Sequence, residues 1–271
     1  MAHRQSAGDI SYSIAIGGLA TLAILILLGP VVVVLITSFT TAASLKFPPP
    51  DLSWKWYEAL FDPIRSRHIH TAASNSLYVA TWATLLSTFG AVLAALALAR
   101  TRGPLARSLE ASFLAPLILP TLAYGFATLM FFSLLGWRPS LTLLIIGHGI
   151  VIAPFVFRTT LASLTQLDPT LLESSASLGA GKFYTFRRIT LPIIAPGIVA
   201  GAFLAFIASL DNVPVSLFLS NARTDMLPIR MWGMMESTLD VRVAAVSGVL
   251  ITAVVILMVV MERAVGLTRR M

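Results

Sequence analysis

Ionisable side chains are rare inside the long apolar stretches of this chain, and Asp211 is the one acidic residue well inside such a stretch. It lies in the run from Ile198 to Leu219, about 22 Å along a helix from Pro196. A charge near the bilayer centre costs about 2.5 to 3.5 kcal/mol, so it should face a path or a partner helix rather than lipid. Asp211 could attract a cation there. Alternatively, it pairs with Asn212, Ser209 or a neighbouring chain and only fixes helix packing.

Two other groups of side chains could carry chemistry, and both fit packing better. His148 lies mid-run and could titrate, but a hydrogen-bonded packing histidine is the favoured interpretation. A soft metal site is conceivable for the methionines, although a packed outer helix suits them better; they are Met226, Met231, Met234 and Met235. The acids and histidines lack metal-ligand spacing, and no G-x-x-x-x-G-K phosphate loop occurs. The chain therefore cannot bind and hydrolyse ATP by that route.

A polar and basic stretch from Leu167 to Gly197 separates two apolar runs. Asp168 followed by Pro169 predicts an N-cap and a first helical residue, and Gly179 predicts the residue just past the helix end. One face of this helix of about ten residues is apolar or small, and it carries Leu171, Leu172, Ser175, Ala176 and Leu178. Because a helix this short is marginal alone in water, we expect it to dock on membrane helices or on a partner.

The composition places these features in a membrane protein. Hydrophobic residues make up 57% of the 271 residues and charged residues only 11%, far below the roughly 25% of soluble domains. The formal charge is +7, but the basic residues sit in short loops between apolar segments, which topology explains and a nucleic-acid surface does not. We therefore expect no nucleic-acid partner. The absence of cysteine excludes disulfides and thiolate metal sites.

Six apolar runs are long enough to cross a bilayer or nearly so. The predicted spans are residues 14–36, 77–98, 109–135, 141–157, 198–219 and 243–260, with the polar loop at 159–196. This pattern predicts an all-α polytopic fold, with an N-terminal segment 1–13 and a single transmembrane domain 14–271. Lys and Arg near the span ends favour both termini in the cytoplasm, since basic residues concentrate in cytoplasmic loops. The polar loop is then cytoplasmic as well.

Within that loop the sequence resembles a known motif. Permease subunits of binding-protein-dependent ABC importers carry E-A-A, three residues, G, nine residues, I, one residue, L-P. This chain has Glu173 with two following serines, Gly179 after three further residues, and Ile189 with Leu191 and Pro192 at the same spacing. The departure is that Ser174 and Ser175 replace the two alanines. The resemblance implies the fold of a type I ABC importer permease.

The resemblance also implies how such a chain works. The loop would form a coupling helix seated on a cytoplasmic ATPase subunit, and the residues expected to take part are Asp168, Leu171, Leu172, Glu173, Ala176, Gly179, Ala180 and Phe183. Phe183, Phe186 and Ile189 are expected to lie against the membrane helices. The implied partners are two ATPase subunits, a second permease of different sequence, a periplasmic solute-binding protein and membrane lipid. The chain would be no enzyme and would bind no cofactor, with ATP and Mg on the ATPase subunits.

Longer segments on both sides of the loop look like permeases of the spermidine/putrescine branch, from Asn75 to the C-terminus. They imply a bacterial inner-membrane importer that carries a polyamine by alternating access, with Asp211 and Asn212 along the translocation path. Related branches import iron, aminophosphonates or amino-acid-like solutes, and these cargoes remain alternatives.

Other interpretations of the sequence compete with this one. The helix after Asp168 could lie at the membrane interface with no partner, and Glu173 could be an ordinary solvated charge. A secondary transporter would carry several ionisable groups in its spans and a pair of interrupted repeats, whereas Asp211 is the single internal carboxylate. A membrane enzyme would need a cluster of histidines or carboxylates, which the sequence lacks.

Overall fold

The structure is a computed structural model that describes residues 7–101 and 103–265. The described residues are helical apart from turns, loops and one isolated bridge between Thr40 and Leu52. The helices are α1 (Ala7–Thr37), α2 (Lys55–Phe61), α3 (Arg67–Leu98), α4 (Pro104–Ile118), α5 (Thr121–Leu134), α6 (Leu141–Thr165), α7 (Pro169–Ser177), α8 (Lys182–Thr185), α9 (Leu191–Leu210), α10 (Val213–Leu219), α11 (Leu227–Thr238) and α12 (Arg242–Val265). A π-helical turn, Phe186–Thr190, joins α8 to α9. The all-α prediction is confirmed.

Several sequence expectations fall on residues that are not described. Three parts of the sequence lie outside the described residues. They are residues 1–6 of the predicted N-terminal segment, Arg102 of the basic loop Arg100–Arg107 between the second and third predicted spans, and residues 266–271 with Arg269 and Arg270. Within the described part, α1 already begins at Ala7, ahead of the predicted start of the first span at residue 14.

Five helices in the described chain are long and apolar enough to cross a membrane, and a sixth crossing requires the pair α4 and α5 to count as one. That pair is bent by 108° between Ile118 and Thr121, so residues 109–135 do not form the single straight span that was predicted. Leu119 is extended (ψ 139°) and is followed by Pro120. A proline disfavours the helical region for the residue before it and donates no N–H, which breaks the helix here.

The fourth and fifth crossings also differ from the predicted bounds. α6 continues to Thr165 rather than ending at residue 157. The Arg158 side chain is exposed, so the helix continues through this charged residue. The candidate span that corresponds to the fifth predicted one runs from Lys182 to Leu210, earlier at both ends than the predicted 198–219. The remainder of that run forms the separate helix α10, because an Asp-Asn pair and Pro214 interrupt the helical backbone.

The contacts divide the chain into two compact units. One contains residues 7–66 together with Met234–Ala253. In it Phe39, Trp54 and Tyr57 form an aromatic cluster with ring centroids 4.9 to 5.5 Å apart. The Tyr57 hydroxyl lies 2.8 Å from the Ser38 hydroxyl, and Arg242 donates to the Arg65 carbonyl at 2.8 Å.

The other unit contains the described residues of Arg67–Gly233 together with residues 254–265. It is built on α3, α6 and α9, which all contact one another. Small residues recur every fourth position on the buried side of α3, at Ala83, Ser87, Ala91 and Ala95. Ser87 donates to the Gly149 carbonyl of α6 at 2.7 Å. On α9, a Cβ added at Gly201 would lie 2.8 Å from the Val156 Cα of α6. Small residues let membrane helices approach closely, and this packing positions the loop and the helix break described next.

Candidate functional site

The short helix α7 begins where the sequence predicts. Asp168 is its N-cap, with a carboxylate oxygen that accepts from the Thr170 N–H at 2.9 Å, and Pro169 is its first residue. Hydrogen bonds from the Thr170 N–H and hydroxyl stabilise the charged form and hold the pKa of Asp168 below its ordinary value. The cap is therefore ionised at neutral pH. It satisfies a backbone donor that the first helical turn leaves free.

The end of α7 confirms the predicted role of Gly179. This glycine has φ +78°, and its N–H donates to the Ala176 carbonyl at 2.9 Å while the Ala180 N–H donates to the Ser175 carbonyl at 3.1 Å. These two bonds define a Schellman ending. A Cβ at Gly179 would meet nothing within 4 Å, so the backbone angle requires glycine here and close approach of another atom does not.

Ser175 is the buried residue of α7, only 8% exposed. Its hydroxyl lies 2.8 Å from the Thr185 hydroxyl of α8, and Thr185 also donates to the Gly181 carbonyl at 3.3 Å. The serine that departs from the family pattern therefore links α7 to the base of the fifth span. Since positions two residues away on a helix point about 200° round the axis, Glu173 and Ser177 face away from that contact.

Apolar side chains of the loop remain exposed. Leu178 is 88% exposed and Phe183 77%, while Leu171 is partly exposed. The expectation that Phe183 lies against the membrane helices is wrong, because α8 turns it outward; Phe186 and Ile189 are half-buried as that expectation requires. α7 and α8 therefore present a surface of apolar side chains that nothing in the described chain covers.

A groove of about 760 Å³ runs between this loop and the end of α3. Four of the residues expected to take part in coupling line it, namely Leu172, Ala176, Ala180 and Phe183. Two cationic side chains, Arg100 and Lys182, also line it. Sequence reasoning missed Leu96 and Ala97 on its α3 side, and the only signal for them was the basic residue Arg100 just after the predicted span.

Asp211 does not lie inside a span but at a helix break. It is the C-cap of α9, directly after the last residue of the candidate span, and its side chain is exposed. Its carboxylate makes no hydrogen bond or ion pair with any described residue. Asn212 instead caps α10 by accepting from the Val215 N–H at 3.0 Å, so the expected pairing of Asp211 with Asn212 or Ser209 is not found.

His148 is fully buried on α6, and both ring nitrogens have partners. Nδ1 lies 2.9 Å from the Ser209 hydroxyl and Nε2 lies 3.2 Å from the Ser216 hydroxyl. The interpretation as a hydrogen-bonded packing histidine is confirmed in its geometry. Ser209 and Ser216 stand on opposite sides of the break at Asp211, a relation that no sequence spacing indicated.

Met226 is buried, whereas Met231, Met234 and Met235 lie on α11. Met226 is buried in the core formed with Val79, Leu143 and Leu219, and the Ser76 hydroxyl lies 4.0 Å from its sulfur. Packing therefore accounts for Met226. Among the described residues, no three His, Asp or Glu side chains come together as a metal site.

Comparisons with known proteins agree with this architecture. Residues 87–267 match the sequence model of a family described as "Binding-protein-dependent transport system inner membrane component". The spermidine/putrescine transport system permease protein PotC of Haemophilus influenzae is 29% identical over 210 residues, which cover 78% of this chain and 80% of that protein. The molybdenum transport system permease protein ModB of Mycobacterium bovis is 32% identical over 243 residues, covering 81% and 88%.

A solved structure has the same fold. A chain of the bacterial alginate ABC transporter in complex with an alginate pentasaccharide-bound periplasmic protein superimposes with a TM-score of 0.70, covering 95% of this chain and 97% of that one. Sequence identity in this alignment is 16%, so the likeness concerns the fold.

Proposed function

This chain belongs to the family of binding-protein-dependent transport system inner membrane components, and we propose that it is the permease that carries a polyamine through an ATP-driven importer. The family is an inner membrane transport component, which supports the proposal that the chain is no enzyme. Its crossings and its fold are those of an importer permease. The cargo, the coupling contacts and the partners are the parts that we propose.

The observation that carries the cargo proposal is the exposed, unpaired carboxylate of Asp211. Sequence identity does not rank the cargoes, since a relative named for spermidine and putrescine and one named for molybdenum are similarly related. A negative side chain at a helix break attracts cations and repels anions. A polyamine is a small cation of high charge, so Asp211 lines its path, while the expected path residue Asn212 is buried and caps α10.

Coupling to ATP hydrolysis occurs through α7 and α8. The exposed Leu171, Leu178 and Phe183 support this role, because large apolar side chains at the centre of a contact carry much of its binding energy. The Glu173 side chain is exposed and faces away from the contact between Ser175 and Thr185, so it can bind a partner. The Schellman ending at Gly179 fixes the direction of α8 and so transmits motion of α7 to α9.

The complete importer contains two ATPase subunits that bind ATP and Mg, a second permease of different sequence and a periplasmic solute-binding protein. Both termini and the α7 loop face the cytoplasm. Because the chain has no cysteine, single cysteines introduced at Leu178 and at Lys46 test this orientation: an impermeant maleimide applied outside intact spheroplasts should label the second and not the first.

The decisive test of the cargo proposal is Asp211→Asn in the reconstituted importer. ATP-driven uptake of putrescine into proteoliposomes should show a KM raised about tenfold, the size of one charge-assisted contact. Asp211→Glu, which retains the charge, is the matched control and should stay within about threefold of the unchanged chain. An assembled Asp211→Asn importer with unchanged KM would contradict the proposed cargo contact. Uptake by the purified chain alone without ATP would contradict the importer mechanism.

A further inference from the structure

We infer that His148 is a positioning residue that fixes the break between α9 and α10, and thereby the placement of Asp211, by hydrogen-bonding the two sides of the break at once. The inference rests on the proposed role of Asp211 in the cargo path and deepens it. No step of the transport function described above uses His148.

The geometry places one imidazole across the interruption. Nδ1 meets the Ser209 hydroxyl at 2.9 Å and Nε2 meets the Ser216 hydroxyl at 3.2 Å. Ser209 is in the last turn of α9, two residues before Asp211, and Ser216 is in α10. All three side chains are buried. The ring of α6 therefore holds the end of one helix and the body of the next in a fixed relation.

Backbone hydrogen bonds alone hold α9 and α10 only weakly in their relative orientation. The Asn212 N–H reaches the Ser209 carbonyl only at 3.4 Å, and the Val213 N–H turns back to Asp211 at 2.8 Å. Pro214 has no N–H, so it cannot continue the helical ladder to Leu210. The Asn212 side chain bonds the Val215 N–H within α10. That cap forms the start of α10 without tying α10 to α9.

Close packing holds α10 against α5 and α6, and α6 also packs against α9; the hydrogen bonds of His148 act where these helices meet. A Cβ at Gly125 of α5 would lie 2.8 Å from the Pro214 carbonyl oxygen, and one at Gly147 would lie 3.1 Å from a methyl of Val215. These glycines bring α5 and α6 close to α10. His148, the next residue after Gly147, is the side chain whose hydrogen bonds reach both α9 and α10.

The chemistry required is one donor and one acceptor on a single buried side chain. A neutral imidazole has one N–H and one lone pair, so one serine accepts from it and the other donates to it. Leucine fills a similar volume and provides neither function. Glutamine provides both in its amide. The pair of substitutions His148→Leu and His148→Gln therefore separates hydrogen bonding from volume.

The expected effect follows from the population of the geometry that accepts cargo. Two hydrogen bonds between membrane helices, at their typical strength, favour the fixed break about tenfold. The apparent affinity falls in proportion to the population of the competent state, and the full tenfold factor appears in KM when that state is the minor one before cargo binds. His148→Leu should therefore raise the KM for putrescine about tenfold, whereas His148→Gln should stay within about threefold.

The experiment measures ATP-driven putrescine uptake by the complete importer in proteoliposomes, with KM and maximal rate determined separately. Thr160→Val is the matched control: Thr160 is also buried on α6, and its hydroxyl has no partner among the described residues. It should leave KM unchanged. Ser209→Ala and Ser216→Ala should each raise KM about threefold and add little to His148→Leu, since they remove the same contacts.

Each outcome either supports or overturns the positioning role of His148. An assembled His148→Leu importer with unchanged KM overturns the inference, as does His148→Gln behaving like His148→Leu, which would leave volume as the only role. Should His148→Leu fail to assemble, the glutamine variant and the two serine variants decide in its place. If Asp211→Asn alters KM while His148→Leu does not, the positioning role fails alone. If Asp211→Asn has no effect, the cargo contact fails and this inference fails with it.

Discussion

Ser175 shows what one residue can change in a loop of otherwise familiar spacing. The resembling motif has alanine here, and a serine hydroxyl buried without a partner would cost free energy. In this chain Thr185 lies ten residues later and supplies that partner at 2.8 Å. The neighbouring Ser174, the other departure, is exposed. The two serines therefore have different reasons to be tolerated, and only Ser175 contributes a contact between α7 and α8.

Removing that hydroxyl should loosen α7 measurably. Ser175→Ala deletes one partner of a neutral hydrogen bond, for which we expect a loss of about 0.5 to 1.5 kcal/mol in the free energy of unfolding. Thermal unfolding of the purified chain in detergent measures it. Thr185→Val should cost a similar amount, and the double variant should cost less than the sum because both changes remove one bond.

Ser174→Ala is the control for this measurement. Its side chain is exposed, so the substitution should change the unfolding free energy by less than about 0.5 kcal/mol. Equal effects at Ser174 and Ser175 would show that helix propensity, and not the bond to Thr185, governs the loop.

Helix-capping and turn preferences predicted the conformation of those residues whose structure depends only on their neighbours in sequence. Asp168 and Gly179 were identified correctly because a cap and a left-handed turn depend on the few residues around them. The Ser175 contact, the His148 bridge and the exposure of Phe183 were beyond such rules. Each depends on which elements meet in three dimensions, and the sequence spacing of 61 and 68 residues from His148 to its serines carries no local signal.

At the level of elements, the apolar runs predicted helices well and their ends poorly. Hydropathy counts apolar residues whether or not the backbone continues as a helix, so the runs around Pro120 and Pro214 were each taken as one span. Both prolines were visible in the sequence. Because membrane helices tolerate proline, the hydropathy pattern was equally compatible with a kink and with a break in each helix. Only the structure distinguishes the two.

Gly201 provides a test of the packing between α6 and α9. A Cβ there would lie 2.8 Å from the Val156 Cα and 3.2 Å from the Phe155 carbonyl oxygen, both backbone atoms that cannot rotate away. Gly201→Ala should therefore force the helices apart and lower the free energy of unfolding by about 1 to 3 kcal/mol. Thermal unfolding of the purified chain reports the change.

Gly90→Ala is the matched control within α3, since a Cβ there would meet nothing within 4 Å. Alanine is the better helix former, so this variant should be neutral or slightly more stable. A Gly201→Ala chain as stable as the unchanged one would mean that α6 and α9 do not pack as closely as the structure has them.

For the whole molecule, the sequence predicted a polytopic membrane protein. It did not distinguish the exposed apolar surfaces that face lipid from those that face a protein partner. α1 exposes its apolar side chains along the window Tyr12–Thr37, and the same type of side chain is exposed on α5 and on α8. Lipid covers an exposed helix in the bilayer, whereas Leu178 lies in the polar and basic loop before the candidate span Lys182–Leu210, and Phe183 lies in the first turn of that span. Exposed apolar side chains outside the bilayer are better explained by a protein partner.

The coupling surface can therefore be tested with the assembled importer. Phe183→Glu and Leu178→Glu each place a charge where we propose that the ATPase subunit buries an apolar side chain. Each should weaken binding of the ATPase subunit at least tenfold, in the range of contact residues that cost about 2 kcal/mol or more, and should reduce uptake in proportion. Both side chains are exposed, so the permease should fold and insert normally. Affinity of the tagged permease for the ATPase subunit in nanodiscs measures the effect.

Leu105→Glu separates a loss of contact from a general effect of added charge. Leu105 is also exposed, on α4 next to the basic loop that we expect on the cytoplasmic side, yet it does not belong to α7 or α8. Its substitution should leave ATPase affinity within about twofold. If Phe183→Glu and Leu178→Glu retain the ATPase subunit as well as Leu105→Glu does, these exposed side chains face something else, and the coupling role of the loop must be carried by its polar face around Glu173.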